Sequence, residues 1–229
     1  MSFSFFKSKI QNFNSFLRVI GALGVLVKIR PTAALLVPLC TAVCLSSAAA
    51  NSSGWTHVQD ADALLNAPVQ SALSKRKIYR KAGHQLEAVA DFKVEARVLS
   101  AASYRKGREA RISPVDLALG WSKMASDHFL SQIEVTQSGR FASMRYDPTA
   151  KIQQVDIVHN SSNMHMIPSS SAVKRQLHAI KKGQVVRIEG YLVNIRHQDG
   201  WRWLTSTSRT DVGNGACEIL LVRSVTVVG

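Results

Sequence analysis

Hydrophobic and polar side chains alternate most regularly around residue 95. Phe92, Val94, Ala96 and Val98 occupy every second position, and charged residues lie between them. A period of two is typical of a strand with one buried face. Shorter segments at residues 141–146 and 155–159 predict two further strands.

Three other segments predict short helices. Ser113 and Pro114 open the first, because serine caps free amide groups and proline is tolerated in the first helical turn. Residues 125–133 form the second, with Asp127 as a cap. The third follows Pro168, and its apolar residues recur at helical spacing: Val173, Leu177 and Ile180.

The last third of the chain predicts strands at residues 185–195, 201–207 and 217–228, with a turn at Asp199-Gly200. The first of these is apolar on both faces and contains Gly190, where we expect a bulge or sharp coil. The predicted fold is therefore α+β: an antiparallel, strongly coiled sheet or small barrel with two or three short helices. It is similar to an oligomer-binding five-stranded barrel.

Residues 1–50 carry five basic side chains and no acidic ones. Lys28 and Arg30 precede an apolar run at residues 32–50 that ends in three alanines, which predicts a secretory signal peptide cleaved after Ala50. Because the head of this leader is unusually long, we hypothesise a true start near residue 27. The alternative is an inner-membrane anchor through residues 32–50, since that run is just long enough to span a bilayer.

Downstream of the leader we predict a polar and basic arm at residues 51–84 and a single α+β domain at residues 85–229. Residues 51–229 hold 24 basic and 15 acidic side chains, a formal charge of +9. A periplasmic or secreted location excludes nucleotide-driven intracellular chemistry. The charge favours an anionic envelope polymer or a lipid surface as partner, with a protein partner as an alternative and no specific nucleic acid predicted. The strongest cluster of basic residues is Lys75, Arg76, Lys77, Arg80 and Lys81.

One cysteine, Cys217, remains after removal of the leader, so no intrachain disulfide is expected. It precedes alternating apolar residues of a predicted strand, which favours a thiol packed in the core. The other interpretation is an activated nucleophile or a metal ligand, with His159 and His165 from a predicted polar loop and Asp211 or Asn163 as orienting group. The spacing matches no known ligand pattern, so no cofactor is predicted.

Trp201, Arg202 and Trp203 form a short aromatic and basic strip. The two indoles share one face of a predicted strand and would stack on sugar rings or bases if that face is exposed. Core packing is the competing explanation.

Several motifs resemble those of an uncharacterised family of exported proteobacterial proteins. They are residues 113–121, 159–165, 200–203 and 215–218, and the resemblance extends from about Phe92 to Val225. It implies a common fold and carries no activity. From the sequence we predict a non-catalytic binding module presenting Trp201, Arg202 and Trp203 to an envelope polymer, polyanion or protein. The alternative is a hydrolase or metal-dependent enzyme that uses His159, His165 and Cys217.

Overall fold

The computed structural model describes residues 3–6, 66–147 and 149–229. The predicted signal peptide, its cleavage site and the alternative membrane anchor lie outside these ranges, apart from residues 3–6. Among the helices in the described ranges, none has the length and apolar character needed to cross a membrane.

The regular alternation around residue 95 belongs to one long strand, β4 (His84–Ser103), so this prediction is confirmed. Its buried residues alternate with half-exposed ones over most of its length. The strand has two register shifts, at Ala88/Ala90 and at Val98/Ser100. Such bulges increase the local twist of a strand.

Five strands form a closed ring of pairings around a shared core. The beginning of β4 pairs with β9 (Val185–Arg196), and its end pairs with β5 (Val115–Gly120). From β5 the pairing continues through β8 (Ser161–Pro168) and β11 (Glu218–Val227) back to β9. The β8 and β11 pair is parallel, so the sheet is mixed and not purely antiparallel as predicted.

Shorter strands extend this framework. β2 (Val69–Ser71) and β3 (Ile78–Lys81) pair with β4, so the described part of the predicted arm forms strands and contains no helix. β10 (Arg202–Trp203) pairs with β9. A separate antiparallel sheet consists of β1 (Phe3–Phe6), β6 (Ile133–Ser138) and β7 (Phe141–Tyr146).

The helices are short: α1 (Arg108–Ile112), α2 (Asp127–Leu130), α3 (Gln154–His159) and α4 (Ser171–Ala179), with one 3-10 turn at Ser122–Ala125. The prediction for α4 is confirmed. The hydroxyl of Ser170 caps it by accepting a hydrogen bond from the backbone N–H of Val173 at 3.2 Å. Its apolar face packs Leu177 against the core of the ring.

Four local predictions are wrong. The hydroxyl of Ser126, and not Asp127, caps α2, because it accepts a hydrogen bond from the backbone N–H of Phe129 at 3.3 Å. The segment after Ser113 and Pro114 forms β5, whose six residues are all buried, and not a helix. A strand that is buried on both faces has no period-two pattern, so its short apolar run also fits one helical face. Residues 155–159 belong to α3 and not to a strand. The supposed polar loop before His165 is β8, and all eight of its residues are buried.

Gly190 marks a close approach between β9 and β11. A Cβ atom at this position would clash with the backbone carbonyl of Leu221. The register shift occurs opposite this point, between Val222 and Ser224 of β11. The expected irregularity is therefore in the partner strand and not at the glycine itself.

Candidate functional site

Asp116 and His165 form a buried charged pair between β5 and β8. They are direct cross-strand neighbours, so their side chains emerge from the same face. Asp116 is fully buried and His165 is 3% exposed. Oδ1 of Asp116 lies 3.0 Å from Nδ1 of His165, although the alignment is poor for a hydrogen bond.

Arg140 supplies the second positive charge at this carboxylate. It lies in the turn between β6 and β7, where it has a positive φ of 75°. Its guanidinium donates hydrogen bonds to Oδ1 of Asp116 at 2.8 Å and to the carbonyl of Ser113 at 2.9 Å. It also stacks over the ring of Tyr104, 3.9 Å from the centroid. A buried carboxylate needs such partners to offset its desolvation.

Asn163 of β8 fixes the turn that carries Arg140. Its amide donates to the carbonyl of Arg140 at 2.9 Å and accepts from the amide of Gln137 at 2.7 Å. The same amide nitrogen lies 3.7 Å from Sγ of Cys217. Asn163 therefore connects the hairpin to the thiol.

Cys217 completes the cluster from the residue before β11. Cys217 is 7% exposed, and its thiol lies beside the imidazole of His165. We therefore find one of the two predicted histidines beside the cysteine, with Asp116 in place of Asp211 and Asn163 in contact with the sulfur.

The charge state of His165 follows from these neighbours. Burial by itself lowers the pKa of an imidazole. The interactions of the imidazole with Asp116 and with Cys217 outweigh burial and raise the pKa of His165 to about 9. His165 is therefore an imidazolium at neutral pH, held against the Asp116 carboxylate.

An aromatic layer covers this cluster on the side of β10. The rings of Trp203 and His165 are 4.7 Å apart, and those of Trp201 and Trp203 are 6.1 Å apart. Both indoles are half-buried, whereas Arg202 between them is exposed. Trp203 therefore contacts the imidazole of His165, and both indoles keep part of their surface open.

Arg108 of α1 contacts the outer side of this aromatic layer. Its guanidinium lies 5.3 Å from the ring centroid of Trp201 and pairs with Asp199 at 2.7 Å. The backbone N–H of Trp201, followed by His197 and Arg108, lowers the pKa of Asp199 far below its usual range. These contacts join the β4–β5 connection to the β9–β11 connection.

A second buried carboxylate, Glu218, has a structural role. It accepts hydrogen bonds from Arg209 at 2.6 Å and from the hydroxyl of Ser162. Arg209 also donates to Gln70 at 2.7 Å, which ties β2 to the β9–β11 connection.

The other predicted catalytic residues lie elsewhere. His159 is exposed at the end of α3, and its carbonyl accepts a hydrogen bond from the indole of Trp121 at 3.2 Å. Along β8, Ser161 and His165 are separated by about 13 Å at roughly 3.3 Å per residue, so His159 does not reach the cluster. Asp211 accepts a hydrogen bond from Ser206 at 2.6 Å and stabilises its own loop.

The predicted basic cluster is only partly available for anions. Arg76 pairs with Glu87, Lys77 pairs with Asp91, and Lys81 donates to the carbonyl of Pro168. Lys75 and Arg80 are exposed. The cluster therefore has less free positive charge than its sequence suggests.

Within the part of the chain that the structure describes, no group of three or more His, Cys, Asp or Glu side chains is arranged to hold a metal ion. No protein-family model, curated protein or solved structure matched the chain.

Sequence reasoning missed Asp116 and Arg140. Asp116 lay in a predicted helix, and a helix at that position gives no reason to expect cross-strand pairing with His165. Arg140 follows Gly139 between a predicted helix at residues 125–133 and a predicted strand at residues 141–146, so the sequence did not indicate a hairpin turn there. Its contact with Asp116 depends on how the hairpin packs on the ring.

Proposed function

We propose that this protein is an exported binding module whose fold is an oligomer-binding five-stranded barrel and whose ligand is an anionic polysaccharide of the cell envelope. The observation that carries the proposal is the pairing order of the ring. With β4, β5, β8, β9 and β11 as first to fifth strands, the order is first, second, third, fifth, fourth and first again. The third and fifth strands are parallel, and α4 connects the third to the fourth. Oligomer-binding barrels have this strand order.

Barrels of this class bind oligosaccharides and oligonucleotides with the loops after the first and fourth strands. In this chain those loops are the β4–β5 and β9–β11 connections, which meet where Arg108 contacts Asp199 and Trp201. Trp201 and Trp203 offer partly open ring faces that suit sugar rings. Arg202 is exposed between them and supplies positive charge.

An anionic ligand is proposed because the protein has an excess of basic side chains. The envelope location is proposed because of the predicted signal peptide. Summed positive charge raises the local concentration of polyanions. Subcellular fractionation tests the location: we expect the product in the periplasm or medium, and an uncut cytosolic product would refute it.

The binding test uses the purified protein with dextran sulfate and neutral dextran as probes. We expect saturable binding of dextran sulfate that weakens with added salt, because exposed charges are screened. Arg202→Glu should weaken this binding about tenfold, as expected for loss of one charged contact and gain of repulsion. Lys151→Glu is the matched control, since Lys151 is exposed in the segment between β7 and α3.

Equal weakening by both substitutions would show binding by net charge alone and would refute a site at Arg202. Absence of binding to dextran sulfate at low salt would refute the anionic polysaccharide itself.

A thiol-dependent hydrolase is the second candidate, favoured by the convergence of Cys217, His165 and Asp116. A thiol, an imidazole and a carboxylate that orients the imidazole are the groups that a thiol-dependent hydrolase needs. The thiol's 7% exposure ranks this function second. If it is correct, p-nitrophenyl acetate should be hydrolysed by the parent and by His159→Ala but not by Cys217→Ala. Equal rates in all three proteins would exclude it.

A further inference from the structure

A separate pocket lies between the β4–β5 connection and α4. Its volume is about 750 Å³, within the range of small-molecule sites. Its lining includes Ser103, Tyr104, Arg105, Arg111, Lys174 and His178. Trp201, Arg202 and Trp203 are not among them, so the inference does not depend on the proposed polysaccharide site.

The charge around this pocket is of one sign. Among its described lining residues none is acidic, while Arg105, Arg111 and Lys174 are basic. The closest acidic residue in sequence, Glu109, directs its carboxylate toward Gly107 and does not line the pocket. The pocket therefore has three cationic side chains and an imidazole without an internal counter-charge.

Several other basic side chains in the described residues are neutralised by acidic ones. Arg76, Arg97, Arg145 and Arg187, for example, each form an ion pair with an acidic side chain. Within residues 66–147 and 149–229, no acidic side chain pairs with Arg105, Arg111 or Lys174. Their charge is thus available to a ligand.

The positive charge of the pocket also affects a neighbouring lysine, Lys81. Lys81 is half-buried beside the carbonyl of Pro168. Burial, together with the positive charge of Lys174, lowers the pKa of Lys81 below its usual value. A bound anion would relieve the repulsion between these two lysines.

The wall of the pocket is held in place before any ligand arrives. The hydroxyl of Tyr104 accepts a hydrogen bond from the backbone N–H of Arg140 at 3.3 Å, and the Arg140 guanidinium stacks on its ring. On the other side, the hydroxyl of Ser103 lies 3.3 Å from Nδ1 of His178 on α4. Preorganised walls reduce the entropy lost on binding.

We propose that this pocket binds the phosphate group of a small phosphorylated molecule, with Arg111 and Lys174 as its main cationic contacts. Guanidinium groups match the oxygen geometry of phosphate, and a lysine adds a point charge. A phosphate carries about −1.5 to −2 charges at neutral pH, which fits a site with several cations. The pocket has room for an organic group beyond the phosphate, and Ala110 and Pro114 provide apolar surface for it.

The test is calorimetric titration of the purified protein with glucose 6-phosphate, with glucose as the uncharged comparison. We expect saturable binding of the phosphate ester and none of glucose. Arg111→Glu and Lys174→Glu should each weaken it at least about tenfold, because each removes a charge-assisted contact and adds repulsion. Lys106→Glu and Arg175→Glu are matched controls. Both are exposed neighbours in sequence that do not line the pocket, and they should change the affinity less than about twofold.

Absence of binding by glucose 6-phosphate, or equal weakening by the control substitutions, would overturn the proposal. The phosphate could also come from a polymer, which a parallel titration with polyphosphate examines. Tight polyphosphate binding that Lys174→Glu abolishes, without binding of glucose 6-phosphate, would overturn the small-molecule assignment. Arg202→Glu separates the two proposals, since it should weaken dextran sulfate binding and leave glucose 6-phosphate binding unchanged.

Discussion

Arg140 reaches from the hairpin of the smaller sheet to the carboxylate of Asp116 in the larger sheet, at 2.8 Å. The contact joins two sheets that share no backbone pairing in the described residues. It also gives a fully buried carboxylate a second cation besides His165. Asp116 therefore links the packing of the hairpin to the state of the cluster around Cys217.

Removing Arg140 should destabilise the fold strongly. Arg140→Ala leaves Asp116 buried with one poorly aligned partner, and breaking a buried ion pair in this way costs about 3–5 kcal/mol. Arg145→Ala on the same hairpin is the control, because its pair with Glu134 is exposed and is worth about 1 kcal/mol or less. Urea unfolding of both variants measures the difference. Similar losses would contradict the assigned role of the buried pair.

Stability should fall as the pH rises toward 9. The folded-state pKa of His165 is about 9, above the ordinary value of 6.5, so protonation favours the folded state. Its contribution is complete below about pH 6.5 and is lost through about pH 9, an effect of about 3 kcal/mol. Urea unfolding between about pH 6 and pH 9.5 measures this fall. The slope should disappear in His165→Gln, and an unchanged slope in that variant would assign it to another group.

Gly190 should tolerate no side chain. Gly190→Ala places a Cβ against the backbone carbonyl of Leu221, and overpacking against backbone costs about 3 kcal/mol. Gly200→Ala is the comparison, because open space surrounds it and only its positive φ of 87° is unfavourable, worth about 1 kcal/mol. Thermal unfolding should rank Gly190→Ala well below Gly200→Ala. The reverse order would mean that β9 and β11 do not approach closely there.

The packing of α4 on the ring gives a further prediction. Leu177 is buried among core residues, so Leu177→Ala should lose about 2–5 kcal/mol of unfolding free energy. Gln176→Ala, its exposed neighbour, should change stability by less than about 0.5 kcal/mol. Denaturant unfolding of the pair decides whether α4 closes the core.

The local pattern of apolar and polar residues was sufficient to predict β4 and α4. The period of two around Phe92 and the serine cap before Val173 each reflect contacts within a few residues. The pattern failed for β5 and α3, where short segments fit both helix and strand. It also failed for β8, which is polar in sequence yet buried, because Ser162, Asn163 and His165 find partners from distant strands.

The candidate site also contains some residues that the sequence could identify and others that it could not. Trp201, Arg202, Trp203, His165 and Cys217 could be nominated from residue type and spacing alone. Their partners could not: Asp116 faces His165 through strand register, and Arg140 arrives through hairpin packing.

The sequence by itself determined the strand-rich character, the hairpin turn at Asp199-Gly200 and the excess of basic residues, since these depend on neighbouring residues and on composition. Tertiary structure alone decided that the pairings close on β4, that β8 and β11 run parallel, and that Arg111 and Lys174 line one pocket. These features join residues far apart in the chain, and such contacts depend on long-range packing that no local periodicity records.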